Sequence, residues 1–230
     1  MKKKFCFHNH SYSNMKFKGV IFDLDGTLVN SLEDLADSMN IVLQNYNLPT
    51  HDLQAYKYLI GNGIRNLVRR ALPESDSEEE LINKCFNSMI EVYRNNCINK
   101  TKPYIGIVDL LDELVSRQMK LAVLSNKADE LTKKIVSDLL PNWNFEAITG
   151  LSNEANKKPN PFGALQISEK SGVRPEKIIY VGDTGIDMQT ANNAGMYAVG
   201  ALWGFRTKEE LISNGAKYLL NHPLDLIQIL

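Results

Sequence analysis

The spacing of apolar and polar residues changes twice along the chain. Val20-Ile21-Phe22 is a short run of β-branched and aromatic residues, as a strand buried on both faces requires, and Gly26 ends it. Between residues 31 and 102 apolar residues recur every three or four positions without a convincing strand. Beyond Pro103 helical and strand-like segments alternate. This order predicts an α/β fold, a doubly wound and mostly parallel sheet, with an all-helical insertion after the first strand.

The individual segments follow from the same spacing and from cap residues such as Ser31 and Ser75-Asp76-Ser77. Helices of the insertion are expected at residues 32–46, 53–59, 64–72 and 81–95. After it we expect helix 108–117, strand 120–124, helix 129–140, strand 145–148, helix 162–171, strand 178–181, helix 186–193, strand 197–201, helix 208–213 and strand 218–220. A helical block of about 70 residues is long enough to be a small domain. The expected division is a core of residues 15–30 and 103–230, a helical cap of 31–102 and a tail of 1–14.

Asp23 and Asp25 lie at the tip of the first predicted strand. Side chains two apart on an extended backbone point to the same side, so both carboxylates share one face of the mouth of the sheet. Their repulsion requires a cation or a proton held by one of them, and a hard divalent ion such as Mg²⁺ prefers oxygen ligands. The alternative is a strand that ends in a solvated turn, where Asp and Gly are common.

Two later segments add hydrogen-bond donors at strand ends or in the loop beyond them, where such folds bind ligands. Ser125-Asn126-Lys127 offers a hydroxyl and an amide to a phosphate oxygen, although Ser-Asn after a strand is also a common capping turn. In Lys157-Lys158-Pro159-Asn160-Pro161 the first proline holds Lys158 extended, which aims its ammonium at the strand mouths.

A last strand end supplies two more acids. Asp183 follows the strand directly, and Asp187 lies one helical turn further along, so both can face a single ion. An acidic cap at a helix start explains one of these residues but not the pair so readily.

Composition and charge argue against nucleic acids and membranes as binding partners. A net charge of −1 with 23% charged residues gives no electrostatic footprint for nucleic acid or an anionic membrane, and no apolar run approaches the roughly 20 residues that span a bilayer. Cys6, Cys85 and Cys97 lack metal-binding spacing, which favours a reducing cytoplasm over a disulfide framework. His8 and His10 are interpreted as surface residues, and the oligomeric state, monomer or homodimer, stays open.

Asp23-Leu24-Asp25-Gly26-Thr27-Leu28 resembles the first signature of the haloacid dehalogenase superfamily in its phosphatase form, and the Lys-Pro-x-Pro stretch at Lys158 resembles the third. The resemblance implies that Asp23 attacks phosphorus to form an aspartyl-phosphate. It implies that Asp25 protonates the leaving alcohol and then activates water, and that Lys158 is catalytic and binds substrate.

The resemblance also implies a binding site for Mg²⁺ and phosphate. The metal ligands would be the carboxylates of Asp23 and Asp183 and the backbone carbonyl of Asp25. Asp187 would support the metal and orient the catalytic lysine, and Ser125 would hold the phosphoryl group with Asn126.

Within the superfamily the helical insertion, the Gly61-Asn62-Gly63 loop and Trp203-Gly204-Phe205-Arg206 resemble phosphoglycolate phosphatases, which implies a small phosphorylated metabolite as substrate. Pyrophosphatases, sugar-phosphate phosphatases and phosphomutases of the same architecture are alternatives. The glycine loop is either a helix–helix turn or, by our hypothesis, a loop that faces the active site when the cap closes. Arg65 would then read the anionic end of the substrate.

A phospho-accepting receiver module or a non-catalytic binding protein is the remote alternative. Receivers also combine an acceptor Asp, an acidic metal site and a lysine on a doubly wound sheet. They are about half this length, however, and lack both a helical insertion and an acid two residues after the acceptor. Every catalytic group of the phosphatases is present in this chain, which argues against an inactive protein.

Overall fold

The computed structural model describes residues 16–76 and 78–230. The predicted tail of residues 1–14, with Cys6, His8 and His10, lies outside these ranges, as does Ser77 of the predicted helix cap. The strands in the described ranges are β1 Gly19–Phe22, β2 Val29–Asn30, β3 Lys102–Pro103, β4 Lys120–Ala128, β5 Ala147–Leu151, β6 Ile178–Gly182, β7 Tyr197–Ala201 and β8 Tyr218–Leu220.

β1 lies in the middle of a six-stranded, fully parallel sheet with the order β5-β4-β1-β6-β7-β8. Phe22 pairs with Val123 of β4 on one side and with Val181 of β6 on the other. All of β1 is buried, because both faces of a central parallel strand are covered. The chain continues from β1 to one side and later returns to the other, so the end of β1 is the topological switch point. The predicted doubly wound sheet is confirmed.

Helices account for most of the remaining described residues. The α-helices in the described ranges are α1 Leu32–Asn45, α2 Leu53–Leu59, α3 Ile64–Ala71, α4 Glu79–Asn96, α5 Ile107–Ser116, α6 Asp129–Leu139, α7 Phe162–Ser171, α8 Gly185–Asn193 and α9 Lys208–Ser213. Short 3₁₀ helices lie at Glu74–Asp76, Glu154–Asn156, Pro175–Lys177 and Pro223–Ile229. Of the helices in the described ranges, none combines the length and the hydropathy that a bilayer crossing needs.

The helical insertion is formed by α1 to α4. α1 and α3 both pack against α4, and buried Met39, Leu67 and Tyr93 belong to the same hydrophobic cluster as Phe22 and Leu28 near the sheet. Apolar residues at helical spacing therefore build one continuous core from the insertion to the sheet.

Several bounds differ from the sequence expectations by one to three residues: the strand expected at residues 145–148 is β5, Ala147–Leu151, and the helix expected at residues 81–95 is α4, Glu79–Asn96. Two further features were not expected. β2 and β3 form a short antiparallel pair, Val29 with Pro103 and Asn30 with Lys102, where the chain enters and leaves the insertion. A strand of two residues has no periodicity for sequence analysis to detect. The second difference is that β4 does not end at Leu124 but extends to Ala128, after an irregularity in its pairing with β5. Ser125, Asn126 and Lys127 therefore lie within the strand rather than beyond it.

Candidate active site

The candidate site is a cleft between the end of β1 and the helical insertion. From the sheet side it is lined by Asp23, Asp25, Ser125, Asn126, Lys127, Lys158, Thr184, Ile186 and Phe205. From the insertion it is lined by Leu35, Ile60, Gly61, Asn62, Gly63, Ile64 and Leu67. The sheet side, which we call the floor of the cleft, is mostly polar. The insertion side, which we call the roof, consists mainly of apolar side chains and the Gly61-Asn62-Gly63 loop.

Asp23 is held at the floor by a buried ammonium. Lys158 Nζ lies 2.8 Å from Asp23 Oδ1 and 2.7 Å from Asp187 Oδ1, and it donates to the Leu124 carbonyl at 3.2 Å. Burial alone would lower the pKa of Lys158, but the charges of Asp187 and Asp23 outweigh it and hold that pKa well above its ordinary value. Lys158 is therefore a fixed positive charge beside the Asp23 carboxylate.

Asp187 is oriented by the start of α8. Its Oδ2 accepts hydrogen bonds from the backbone N–H of Thr184 at 3.1 Å and from the Thr184 hydroxyl at 2.6 Å, as part of a capping box. Its Oδ1 is the oxygen that accepts from Lys158. Asp187 is thus both the third helical residue of the capping box, whose N-cap is Thr184, and an orienting partner of Lys158.

Asp183 follows β6 and is fully buried. It accepts hydrogen bonds from the Thr27 hydroxyl at 3.1 Å and from the backbone N–H of Phe205 at 2.8 Å. Gly26 and Gly204 leave room for this carboxylate because they have no side chain. A Cβ at Gly26 would lie 2.3 Å from Asp183 Oδ2, and a Cβ at Gly204 would lie 2.2 Å from Asp183 Cβ. Gly26 also has a φ of +85°, so it provides both the turn after β1 and the room for this carboxylate.

The chemistry of this cluster fits a divalent cation. Oxygens of Asp23, Asp183 and Asp187 lie within 4.8 Å of one another, and all three residues are buried. Burial, opposed by Lys158 and reinforced by Asp187, raises the pKa of Asp23 from its ordinary 3.8 to about 7. Burial and the charges of Asp187 and Asp23 likewise hold the pKa of Asp183 well above its ordinary value. Three carboxylates around one ammonium leave excess negative charge, which a hard cation with oxygen ligands would offset.

Ser125 and Asn126 line the cleft but differ in their contacts. Ser125 Oγ accepts from the Lys127 N–H at 3.3 Å. The Asn126 amide pairs with the backbone of Lys158: its Oδ1 accepts from the Lys158 N–H at 2.8 Å, and its Nδ2 donates to the Lys158 carbonyl at 3.1 Å. Asn126 therefore holds the lysine loop in place, and its predicted contact with phosphate stays a prediction.

Asp25 has partners that sequence analysis missed. Lys127 Nζ donates to both of its carboxylate oxygens, at 2.8 and 2.7 Å, and Ser31 Oγ donates to Oδ1 at 2.6 Å. Tyr93 of α4 accepts from the same lysine at 2.9 Å. A local signal for Lys127 existed, because Ser125 and Lys127 are two residues apart and share one face if β4 continues.

Arg65 lies away from the cleft lining, although the preceding Gly61-Asn62-Gly63 loop forms part of it. Its guanidinium donates to Glu79 and, at 2.7 Å, to Asn83, both on α4, and it lies 5.6 Å from the ring centroid of Phe86. In this arrangement Arg65 ties α3 to α4. Its predicted contact with the substrate stays a prediction.

Comparison with known proteins agrees with this geometry. The family model described as haloacid dehalogenase-like hydrolase matches residues 20–201, from β1 to β7. The chain belongs to the haloacid dehalogenase-like hydrolases. The resemblance drawn from the sequence motifs is thereby confirmed.

Individual relatives of this haloacid dehalogenase-like hydrolase cover nearly its whole length. It is 34% identical over 215 residues to the phosphoglycolate phosphatase of Aquifex aeolicus, covering 92% of this chain and 95% of that protein. It is 30% identical to the phosphoglycolate phosphatase of Chromobacterium violaceum, with coverages of 94% and 98%. A crystal structure described as a predicted phosphoglycolate phosphatase of Haemophilus somnus superposes with a TM-score of 0.86 at 29% identity, covering 94% of this chain and 99% of that one.

Phosphatases of the haloacid dehalogenase-like hydrolases generally use a divalent metal ion, and the acidic cluster of Asp23, Asp183 and Asp187 is the group of residues in the described ranges suited to hold one. The predicted assignment to the hydrolases is confirmed by the family match.

Proposed function

We propose that this hydrolase cleaves a small phosphomonoester through an aspartyl-phosphate on Asp23, and that its substrate is phosphoglycolate. The observation that carries the proposal is the meeting of three groups in one cleft: the Asp23 carboxylate, the fixed ammonium of Lys158 and the second acid Asp25. A nucleophile, a positive charge for the phosphoryl oxygens and a proton carrier are what such a reaction requires.

The first step would be attack on phosphorus. An Asp23 oxygen forms a bond to phosphorus while the bond from phosphorus to the leaving alcohol breaks, and Asp25, which must carry a proton at this step, transfers that proton to the alcohol oxygen. Lys158 neutralises charge at the nucleophile and on the phosphoryl group, and the Ser125 hydroxyl holds a phosphoryl oxygen. In the second step Asp25 takes a proton from water, whose oxygen bonds to phosphorus as the bond to Asp23 breaks.

The metal of the proposal is Mg²⁺. The residues that would hold it are Asp23 and Asp183 through their carboxylates and Asp25 through its backbone carbonyl, with Asp187 in support. When bound, Mg²⁺ supplies positive charge that offsets the repulsion between the anionic nucleophile and a phosphate dianion.

The substrate assignment rests on the relatives. Both curated relatives described above are phosphoglycolate phosphatases. Pyrophosphatase and sugar-phosphate phosphatase or phosphomutase activities are the alternatives, and a non-catalytic phospho-accepting module is the remote one.

The proposal extends to the roles of the two parts of the chain. Residues 15–30 and 103–230 would form the catalytic core and residues 31–102 a cap that excludes bulk water and contacts the non-reacting part of the substrate. The β2–β3 pair, which joins both connections of the insertion, supports this division. Free, buried Cys85 and Cys97 support a reducing cytoplasm as the compartment.

The test is a substrate panel with purified protein. Phosphoglycolate, pyrophosphate, hexose phosphates, nucleotides and 4-nitrophenyl phosphate are compared by kcat/KM, with Mg²⁺ and with excess chelator. We expect metal-dependent phosphate release, with the highest kcat/KM for phosphoglycolate. A higher kcat/KM for another panel member would replace the substrate, and full activity in chelator would exclude the metal assignment.

A further inference from the structure

Lys127 is a buried lysine with two partners from different parts of the molecule. Its side chain is only 3% exposed. The ammonium donates to Asp25 Oδ1 and Oδ2 at 2.8 and 2.7 Å and to Tyr93 Oη at 2.9 Å. Lysine is almost never buried without such partners, because removing an ammonium from water is costly. These three contacts therefore explain how Lys127 is accommodated beside the cleft.

The contacts fix the position of the Asp25 side chain. Both of its oxygens accept hydrogen bonds from the lysine ammonium, and Oδ1 also accepts one from the Ser31 hydroxyl at 2.6 Å. The side chain is 18% exposed, so without these donors the carboxylate would be free to rotate toward solvent. Tyr93 is buried on α4, and its hydroxyl holds the ammonium from the insertion side.

We propose that Lys127, supported by Tyr93, is a positioning residue that sets the Asp25 carboxyl group for proton transfer. This inference rests on the proposed function, in which Asp25 gives a proton to the leaving alcohol and takes one from water. Proton transfer requires the carboxyl oxygen within hydrogen-bond reach of the alcohol oxygen, and a displacement of about 1 Å can cost about 10²-fold in rate. In this role Lys127 acts through Asp25 and takes no part in the proton transfer itself.

The second buried lysine provides the contrast that makes the inference testable. Lys158 contacts Asp23 and Asp187, whereas Lys127 contacts Asp25. Loss of Lys127 should therefore impair proton transfer to the leaving group while attack by Asp23 is retained. A poor leaving group such as phenol needs that proton, and 4-nitrophenol leaves readily without it.

The experiment measures kcat/KM of the Mg²⁺-loaded protein for phenyl phosphate and 4-nitrophenyl phosphate. For Lys127→Met we expect a loss on phenyl phosphate at least about tenfold larger than on 4-nitrophenyl phosphate, as for a general acid placed out of reach. Lys133→Met is the matched control and should leave both kcat/KM values unchanged. Lys133 is an exposed lysine of α6 that pairs with Asp129 of the same helix. Equal losses on both substrates for Lys127→Met would overturn the proposal.

Two further variants decide the matter even if Lys127→Met does not fold. Lys127→Arg keeps a buried cation beside Asp25 and should restore most of the phenyl phosphate activity. Tyr93→Phe removes only the hydroxyl that holds the ammonium and should show the same selective loss, reduced to about three- to tenfold. Equal losses on both substrates in folded Tyr93→Phe, or no loss at all, would refute the role of the pair.

Failure of the proposed function would give a different result. If wild-type protein hydrolysed neither phosphoglycolate nor the aryl phosphates, or if Asp23→Asn remained active, the aspartyl-phosphate mechanism itself would be wrong. If wild type is active, Asp23→Asn is inactive and Lys127→Met loses activity equally on both aryl phosphates, only the positioning role of Lys127 is refuted.

Discussion

The two buried lysines of the cleft have different surroundings: the contacts of Lys158 all lie outside the helical insertion, whereas those of Lys127 include a residue of the insertion. Lys158 contacts Asp23 after β1, Asp187 of α8 and the carbonyl of Leu124 in β4. Lys127 contacts Asp25, which also follows β1, and Tyr93 of α4. The Asp23 carboxylate is thus held by contacts outside the helical insertion, whereas the lysine that holds Asp25 is itself held by Tyr93 of the insertion.

The surroundings of the two lysines also differ in charge. Around Lys158 three buried carboxylates lie close together, and the pKa of Asp23 is raised to about 7. Around Lys127 a single carboxylate faces a single ammonium. The group around Lys158 has excess negative charge, which a cation would offset, whereas the charges of Asp25 and Lys127 offset each other. Changes around Lys158 should therefore affect metal binding and the nucleophile, and changes around Lys127 should affect proton transfer.

The largest effect is expected at Asp23, the proposed nucleophile. Asp23→Asn should lower kcat by about 10³-fold or more for every substrate, whatever its leaving group, because a neutral amide cannot form the aspartyl-phosphate. Steady-state kinetics on phosphoglycolate and 4-nitrophenyl phosphate check this. Asp138→Asn, a change at an exposed residue paired with Lys134, is the control. Substantial activity in Asp23→Asn would break the distinction between the surroundings of the two lysines.

A smaller and selective effect is expected at the second acid. Asp25→Asn should lower kcat/KM for phenyl phosphate by about 10²–10⁴-fold, the range for a general acid, and much less for 4-nitrophenyl phosphate. The same two assays measure it. If both substrates kept wild-type rates, Asp25 would have only a structural role.

Metal-free protein should lose stability as the pH rises. The folded pKa of Asp23, about 7, is above its ordinary value of 3.8, so between these values the folded state binds more protons than the unfolded state. The free energy of unfolding therefore decreases as the pH rises from about 4 to about 7. Thermal unfolding in chelator should show a falling Tm over this window, and Mg²⁺ should raise Tm more at pH 8 than at pH 5. A flat profile would contradict the charge imbalance around Lys158.

Asp183→Asn should separate repulsion from metal binding. Removing one of the three carboxylates lowers the repulsion, so the metal-free variant should be at least as stable as wild type at pH 8. Saturating Mg²⁺, at 100 times the Kd, stabilises a folded protein by about 2.7 kcal/mol, or a Tm shift of about 5–10 °C at this size. We expect this shift in wild type and little of it in the variant. An undiminished shift would place the metal elsewhere.

The smallest effect is expected at Arg206, which contacts the end of α2 in the insertion. Arg206 donates to the carbonyl of Lys57 at 2.7 Å and also to that of Ile60, at the end of α2. Arg206→Met should raise KM for phosphoglycolate by about tenfold, as the loss of charge-assisted hydrogen bonds allows, with little change in kcat. A loss of kcat without a change in KM would assign Arg206 to the reaction instead of to the roof of the cleft.

Sequence analysis located the elements that have strong local patterns. Helix α7 and strands β7 and β8 have the predicted bounds, and the sheet brings the acids of β1 and β6 together as expected from parallel strands. The β2–β3 pair and the extension of β4 depend on partners distant in sequence, so local pattern does not reveal them. For the same reason the contact of Lys127 with Tyr93 of α4 emerged only from the fold.

The most direct test of the account is to trap the phosphorylated enzyme. Asp25→Asn with labelled 4-nitrophenyl phosphate should still undergo the first step, which needs no proton for this leaving group, and should hydrolyse the intermediate slowly. Acid quenching and peptide mapping should then find the phosphoryl label on Asp23. Release of 4-nitrophenol without any covalent label, or a label on another residue, would contradict the aspartyl-phosphate mechanism.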